Sequence, residues 1–117
     1  MGLSKKNTYI PDKGDFIIAT FDPQSGHEQK GRRPALVVSN KVFNKSTGLT
    51  IVCPITNTNR NIPFHVEVST ESPLTGYIMV EQVKSIDYKT RQVKFVEKAN
   101  TQTLTDVLGI LDACIYQ

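Results

Sequence analysis

The chain has 117 residues, 38% of them hydrophobic and 21% charged, with 14 Lys+Arg against 11 Asp+Glu for a formal net charge of +3. That length suits one domain with one core, and the apolar content excludes a disordered, charge-dominated chain. No apolar run approaches the roughly 18 residues of a membrane helix, and two cysteines, Cys53 and Cys114, are too few for a disulfide scaffold. The start is polar, which predicts no secretory signal and two reduced thiols in the cytosol.

In chain order, residues 1–8 read as a flexible polar tail and 9–117 as a single domain. Phe16 to Phe21 is apolar on both faces, as in a buried strand, and Asp22-Pro-Gln-Ser-Gly26 is a turn-rich break. Ala35–Val38 and Leu49–Cys53 read as two further buried strands. Between them one helical turn at Lys41–Phe43 leads into a loop, Asn44–Gly48. Phe64-His-Val-Glu-Val68 alternates, so one face is buried and one wet. His65 on it is expected to be an exposed or edge histidine. Tyr77–Val80 continues into Val83, and Gln92–Val96 is a last strand. After Ala99 the period changes. Leu104, Val107, Leu108, Leu111 and Ile115 share one helical face, Asn100 is the expected N-cap, and Gly109 permits close packing. Five to seven short strands followed by a helix predict a mainly β fold, a small barrel or sandwich capped by that helix.

The densest chemistry lies in Phe21 to Pro34, where His27, Glu28, Lys30, Arg32 and Arg33 fall within seven residues between two apolar strands. Cleaving RNA through its own 2′-hydroxyl requires a base for that proton, an acid for the leaving 5′-oxygen, and a cation for the charge growing on phosphorus. Glu28 or His27 fits the base, and Arg33 or Arg32 the cation. The competing reading is a solvated charged loop. Thr56, with Arg60 four residues on, supplies a hydroxyl donor and a cation for a phosphate; the competing reading there is a polar turn. Metal chemistry finds little support, with two His and two Cys and neither C-x-x-C nor H-E-x-x-H. Both cysteines read as small core residues, and the tyrosines and phenylalanines as core rather than as base-stacking platforms.

These residues carry a resemblance. Pro11-Asp-Lys-Gly-Asp15, Phe21-Asp-Pro23, Gly26-His-Glu-Gln29, Gly31-Arg-Arg-Pro-Ala35, Cys53-Pro-Ile-Thr56, Pro63-Phe64 and Gln82-Val-Lys-Ser85 occur in order. From about Tyr9 to Cys114 the chain resembles the MazF/PemK (Kid) toxins of bacterial toxin–antitoxin systems. The resemblance implies a small SH3-like β-barrel of the PemK/MazF/CcdB type, assembled as a homodimer. It implies a ribosome-independent, metal-free endoribonuclease that cuts single-stranded RNA at short sequences, leaving a 2′,3′-cyclic phosphate and a 5′-hydroxyl. It implies catalysis by Arg33 and Thr56 with Glu28, substrate contacts from His27, Gln29, Lys30, Arg32, Asn57, Arg60, Glu81 and Gln82, no cofactor, and a cognate antitoxin with an acidic, disordered C-terminal segment. Three positions depart from the pattern. Asn57 stands where Ser or Thr is common, Glu81 where Asp is common, and Ile18 near the place of a tryptophan.

Two other classes share the scaffold. One is a CcdB-like poison that binds DNA gyrase and cleaves nothing; the other is an inert RNA-binding domain. Gly31-Arg-Arg-Pro34 together with Thr56 favours the nuclease over the first, and incubation with naked RNA separates it from the second.

Overall fold

The computed structural model describes residues 8–21 and 31–116. Their elements are β1 (Asp15–Thr20), β2 (Arg32–Val37), α1 (Lys41–Thr47), β3 (Leu49–Thr56), β4 (His65–Glu67), β5 (Tyr77–Met79), β6 (Lys84–Asp87), β7 (Lys94–Lys98) and α2 (Thr101–Tyr116). The seven strands pair antiparallel in the order β4-β5-β3-β2-β1-β7, with β6 also on β3. The outer edge of β3 is divided, Leu49–Val52 pairing with β6 and Ile55–Thr56 with β5. The fold is therefore mainly β with a C-terminal helix, as expected. The barrel is open: among the described residues β4 and β7 are not bonded to each other.

One core was expected, but the alternation of the strands builds two. Phe16, Leu36, Cys53 and Ile55 point to one face, where they meet Ile78, Val80 and Val107 of α2. Ile17, Ala19, Ala35, Val37 and Val52 point to the other, where Ile86, Tyr88 and Val93 close over them. Successive residues of a strand face opposite ways, so continuous apolar runs such as 16–19 serve both faces. Asn100 does cap α2, its Oδ1 accepting the Thr103 N–H at 2.8 Å.

Several sequence expectations are corrected. The segment read as loop after Lys41–Phe43 is helix to Thr47. Asn40 Oδ1 accepts from Phe43 N–H at one end, and Gly48, at φ 75°, bonds back to Asn44 at the other. Caps outweigh the weak helix propensity of Asn, Ser and Thr. The strand at Tyr77 does not run on; a 3-10 turn at Val80–Gln82 breaks it, and β6 follows. The last strand starts at Lys94, because Gln92 turns through φ 54°. Ile115 is 75% exposed, and Gly109 is exposed with open space where a β-carbon would stand. Cys53 is buried as expected, but Cys114 is exposed. His65 does lie on the sheet's edge strand, yet its side chain is only 4% exposed. Of the aromatics, Tyr88 is buried while Phe64, Phe95 and Tyr116 are exposed. Among the described residues, no helix is long and apolar enough to cross a membrane.

Candidate active site

Antiparallel pairing of β2 with β3 sets Ala35 opposite Pro54, Leu36 opposite Cys53 and Val37 opposite Val52. Each pair sums to the same number, so carrying the register two residues further sets Arg33 across from Thr56. Both then share a face with Ala35 and Pro54. The hydrogen-bonded ladder stops short of them. Pro34 and Pro54 stand where it ends, and neither has an N–H to donate. The Arg-Pro and Pro-Ile-Thr segments thus end a paired stretch just before the two polar side chains.

A groove of about 290 Å³ opens at that end, lined by Phe21, Arg33, Pro54, Met79, Gln82 and Lys84. Arg33 is exposed on β2. Lys84 Nζ lies 5.4 Å from the centroid of the Phe21 ring, a cation–π contact that holds a second positive charge at the groove. Thr56 is half-buried, and its Oγ1 accepts the Thr58 N–H at 3.2 Å. The hydroxyl proton remains available as a donor. Behind Thr56 the chain approaches at Gly76, whose φ is +127°. Asn57 Oδ1 accepts from the Thr75 hydroxyl at 3.4 Å.

The other expected site residues divide. Gln82 lines the groove from the 3-10 turn. Arg60 is exposed in the loop after β3. Glu81 turns to His65, Oε2 to Nε2 at 2.9 Å, and does not line the groove. Its charge adds to burial in pushing the Cys53 thiol up to about 12. Arg32 neighbours Arg33 but is on the opposite side of the strand. Its Nη1 donates to Thr20 Oγ1 at 3.0 Å and to the carbonyls of Gln92 at 2.8 Å and Arg91 at 3.3 Å. His27, Glu28, Gln29 and Lys30 lie outside the described residues. Sequence reasoning passed over Phe21, Met79 and Lys84 as groove residues. Lys84 and Phe21 belong to the ordered motifs, but only the fold brings Met79 alongside them.

A larger cleft of about 690 Å³ lies between β4 and α2. Among the described residues it is lined by Glu67 and Asp106 and by no Lys or Arg, so it offers a phosphodiester repulsion rather than a clamp. Of these two, the groove at Arg33 and Lys84 is the one suited to a polyanion.

Comparison with known proteins gives the family. Residues 12–115 match the family described as PemK-like, MazF-like toxin of type II toxin-antitoxin system. The endoribonuclease toxin MazF of Escherichia coli K12 is 41% identical over 83 residues, covering 71% of this chain and 74% of the relative. The endoribonuclease toxin ChpB of the same strain is 36% identical over 121 residues, covering 97% and 99%. Among solved structures, MazF of Deinococcus radiodurans superposes with a TM-score of 0.83 at 35% identity, covering 93% of this chain and 99% of that one. A MazE–MazF structure from that organism gives 0.85 at 32% identity with the same coverage. The chain belongs to the PemK/MazF toxin family. It is an endoribonuclease toxin, and the resemblance read from the ordered motifs holds.

Proposed function

We propose that this toxin cleaves single-stranded RNA at short sequences in the cytoplasm, without ribosome or metal, by attack of the substrate's own 2′-hydroxyl. The 2′-oxygen bonds to phosphorus as the bond from phosphorus to the 5′-oxygen breaks. The 2′ proton passes to a base, and a proton is delivered to the departing 5′-oxygen. The products are a 2′,3′-cyclic phosphate and a 5′-hydroxyl. Arg33 stabilises the charge on the pentavalent phosphorus; an arginine does not readily yield its own proton. Thr56 donates to a non-bridging oxygen. Glu28 is the base, with His27 the alternative. Gln82, Asn57 and Arg60 contact the substrate beside the cut, with His27, Gln29, Lys30, Arg32 and Glu81 as further contacts.

The observation that carries this reading is the groove at the end of the β2–β3 ladder, which holds Arg33 and Lys84, with Thr56 on the same face of the sheet when the register is extended by two residues. The MazE–MazF complexes among similar structures support a cognate antitoxin here too. Its acidic segment would compete with RNA for the groove cations. The enzyme works as a homodimer, one patch used twice.

The test is incubation of the purified protein with a long RNA, followed by sequencing of the ends. Arg33→Ala and Thr56→Ala should stay folded and each lose about 10²–10³ in rate, as for removal of one transition-state donor. Excess EDTA should leave the rate unchanged, and RNA carrying a 2′-methoxy group at the cut should be inert. Wild-type rates in folded Arg33→Ala, or ends carrying 5′-phosphate, overturn the mechanism.

A further inference from the structure

The hairpin between β6 and β7 has no part in the chemistry above, yet Tyr88–Lys94 carries three cations, Lys89, Arg91 and Lys94, and no acid. Lys89, Gln92 and Lys94 line an open groove of about 470 Å³ together with Arg32 and a floor at Val93. Asp87, at the start of the turn, is engaged within it, its Oδ1 accepting the N–H groups of Lys89 and Thr90 at 3.0 and 3.1 Å.

The turn is held in shape from below. Gln92 has a φ of 54°, a left-handed conformation that costs a side-chain-bearing residue. Its carbonyl is fixed by Arg32 Nη1, and the Arg91 carbonyl accepts both from that nitrogen and from the Thr20 N–H at 2.9 Å. Arg32 therefore ties the cationic turn to β2, one residue from Arg33. Two positively lined grooves start from adjacent residues of one strand and lie on its opposite sides, one holding Arg33 and the other holding Lys89 and Lys94.

We propose that Lys89 and Lys94, oriented by Arg32, bind phosphates of the RNA strand outside the cut motif, so that a substrate is held along its flank while its scissile phosphate lies at Arg33. This rests on the ribonuclease reading above and extends its substrate contacts to residues that no motif assigns. The groove favours a phosphodiester backbone over a peptide. Its rim is Lys, Gln and Arg, and its single apolar lining residue, Val93, is 1% exposed. A docking peptide needs apolar anchors, whereas a backbone phosphate needs only positioned cations.

The experiment compares the wild-type protein with Lys89→Gln/Lys94→Gln on two RNAs: a long single strand containing the mapped cut motif, and an oligonucleotide trimmed to that motif. The double variant should lose kcat/KM on the long strand, through KM, and match wild type on the trimmed one. The slope of log(kcat/KM) against log[salt] on the long strand should shrink by about 1.4, for two single-strand phosphate contacts at about 0.7 each. Equal losses on both RNAs, or no loss on either, overturn the proposal. So does weakened inhibition by the co-purified antitoxin with RNA cleavage untouched, which would assign the turn to the protein partner. Failure of the wild type to cut either RNA would sink the ribonuclease reading itself, and Arg33→Ala on the trimmed RNA serves as the control that tells the two failures apart.

Discussion

Gly76 sets the geometry of Thr56 from behind. A β-carbon added there would lie 2.6 Å from the Thr56 carbonyl oxygen and 2.9 Å from Ile55 Cγ2, at a φ of +127°. Backbone cannot yield as a flexible side chain can, so Gly76→Ala must push the end of β3. We expect a cost on the order of 1–3 kcal/mol, read as a lower urea midpoint, and a fall in cleavage rate larger than the fraction unfolded explains. The two thiols should differ as sharply. Cys114, exposed on α2, should react with iodoacetamide in the native protein, and Cys53 only after unfolding. Burial raises Cys53 to about 12 in the folded state, above the roughly 8.5 of a free thiol. Its contribution to stability is thus full below about pH 8.5 and is lost as pH rises towards 12. Cys53→Ala should flatten the decline in urea midpoint between those values. At this scale the sequence disclosed Arg33 and Thr56 as candidates, because motif and chemistry coincide on them. Gly76 was not legible, since its role is set by Thr56, a neighbour distant in the chain.

At the scale of elements, α1 shows how a polar residue can organise a junction. Asn44 is fully buried. Its Nδ2 donates to the carbonyls of Pro11 at 2.8 Å and Ser39 at 3.1 Å, and its Oδ1 accepts from Ser39 Oγ at 2.6 Å. Its own carbonyl accepts from Tyr88 at 3.1 Å. One side chain and one peptide unit therefore join the segment before β1, the β2–α1 connection and the β6–β7 turn. Asn44→Ala strands several buried partners, and each costs about 1–3 kcal/mol; we expect about 2–4 kcal/mol in a urea titration. Sequence reasoning placed a loop here because Asn, Ser and Thr are indifferent helix formers. The capping pair Asn40 and Gly48 carried the opposite signal, but Asn44's partners are distant in sequence. The same limit explains β6, whose alternation over four residues is too short to stand apart from the preceding 3-10 turn. The C-terminal helix was legible because sixteen residues repeat one period from a sound cap.

For the whole molecule, the resemblance implies a two-fold dimer, and sedimentation at micromolar concentration should return twice the 13.1 kDa of the chain; a single-chain mass would refute it. The general architecture was readable, since short strands and a late helix leave few arrangements. That the sheet buries both faces was written in the continuous apolar runs, but how the faces are covered depends on contacts between distant elements. The division of β3 between two cores bears on which changes in length the gene can tolerate. Inserting or deleting one residue inside β3 would send Val52 and Cys53 to each other's cores and turn Thr56 away from Arg33. A change of two would restore the faces but carry Thr56 about 6–7 Å along the strand, beyond reach of the same phosphate. Either change of length disables the enzyme, whereas the connection at 61–64, past Asn57 and Arg60, can lengthen without moving any residue of the two cores. Length variants that remain active should therefore cluster in connections such as that one and be absent from β3.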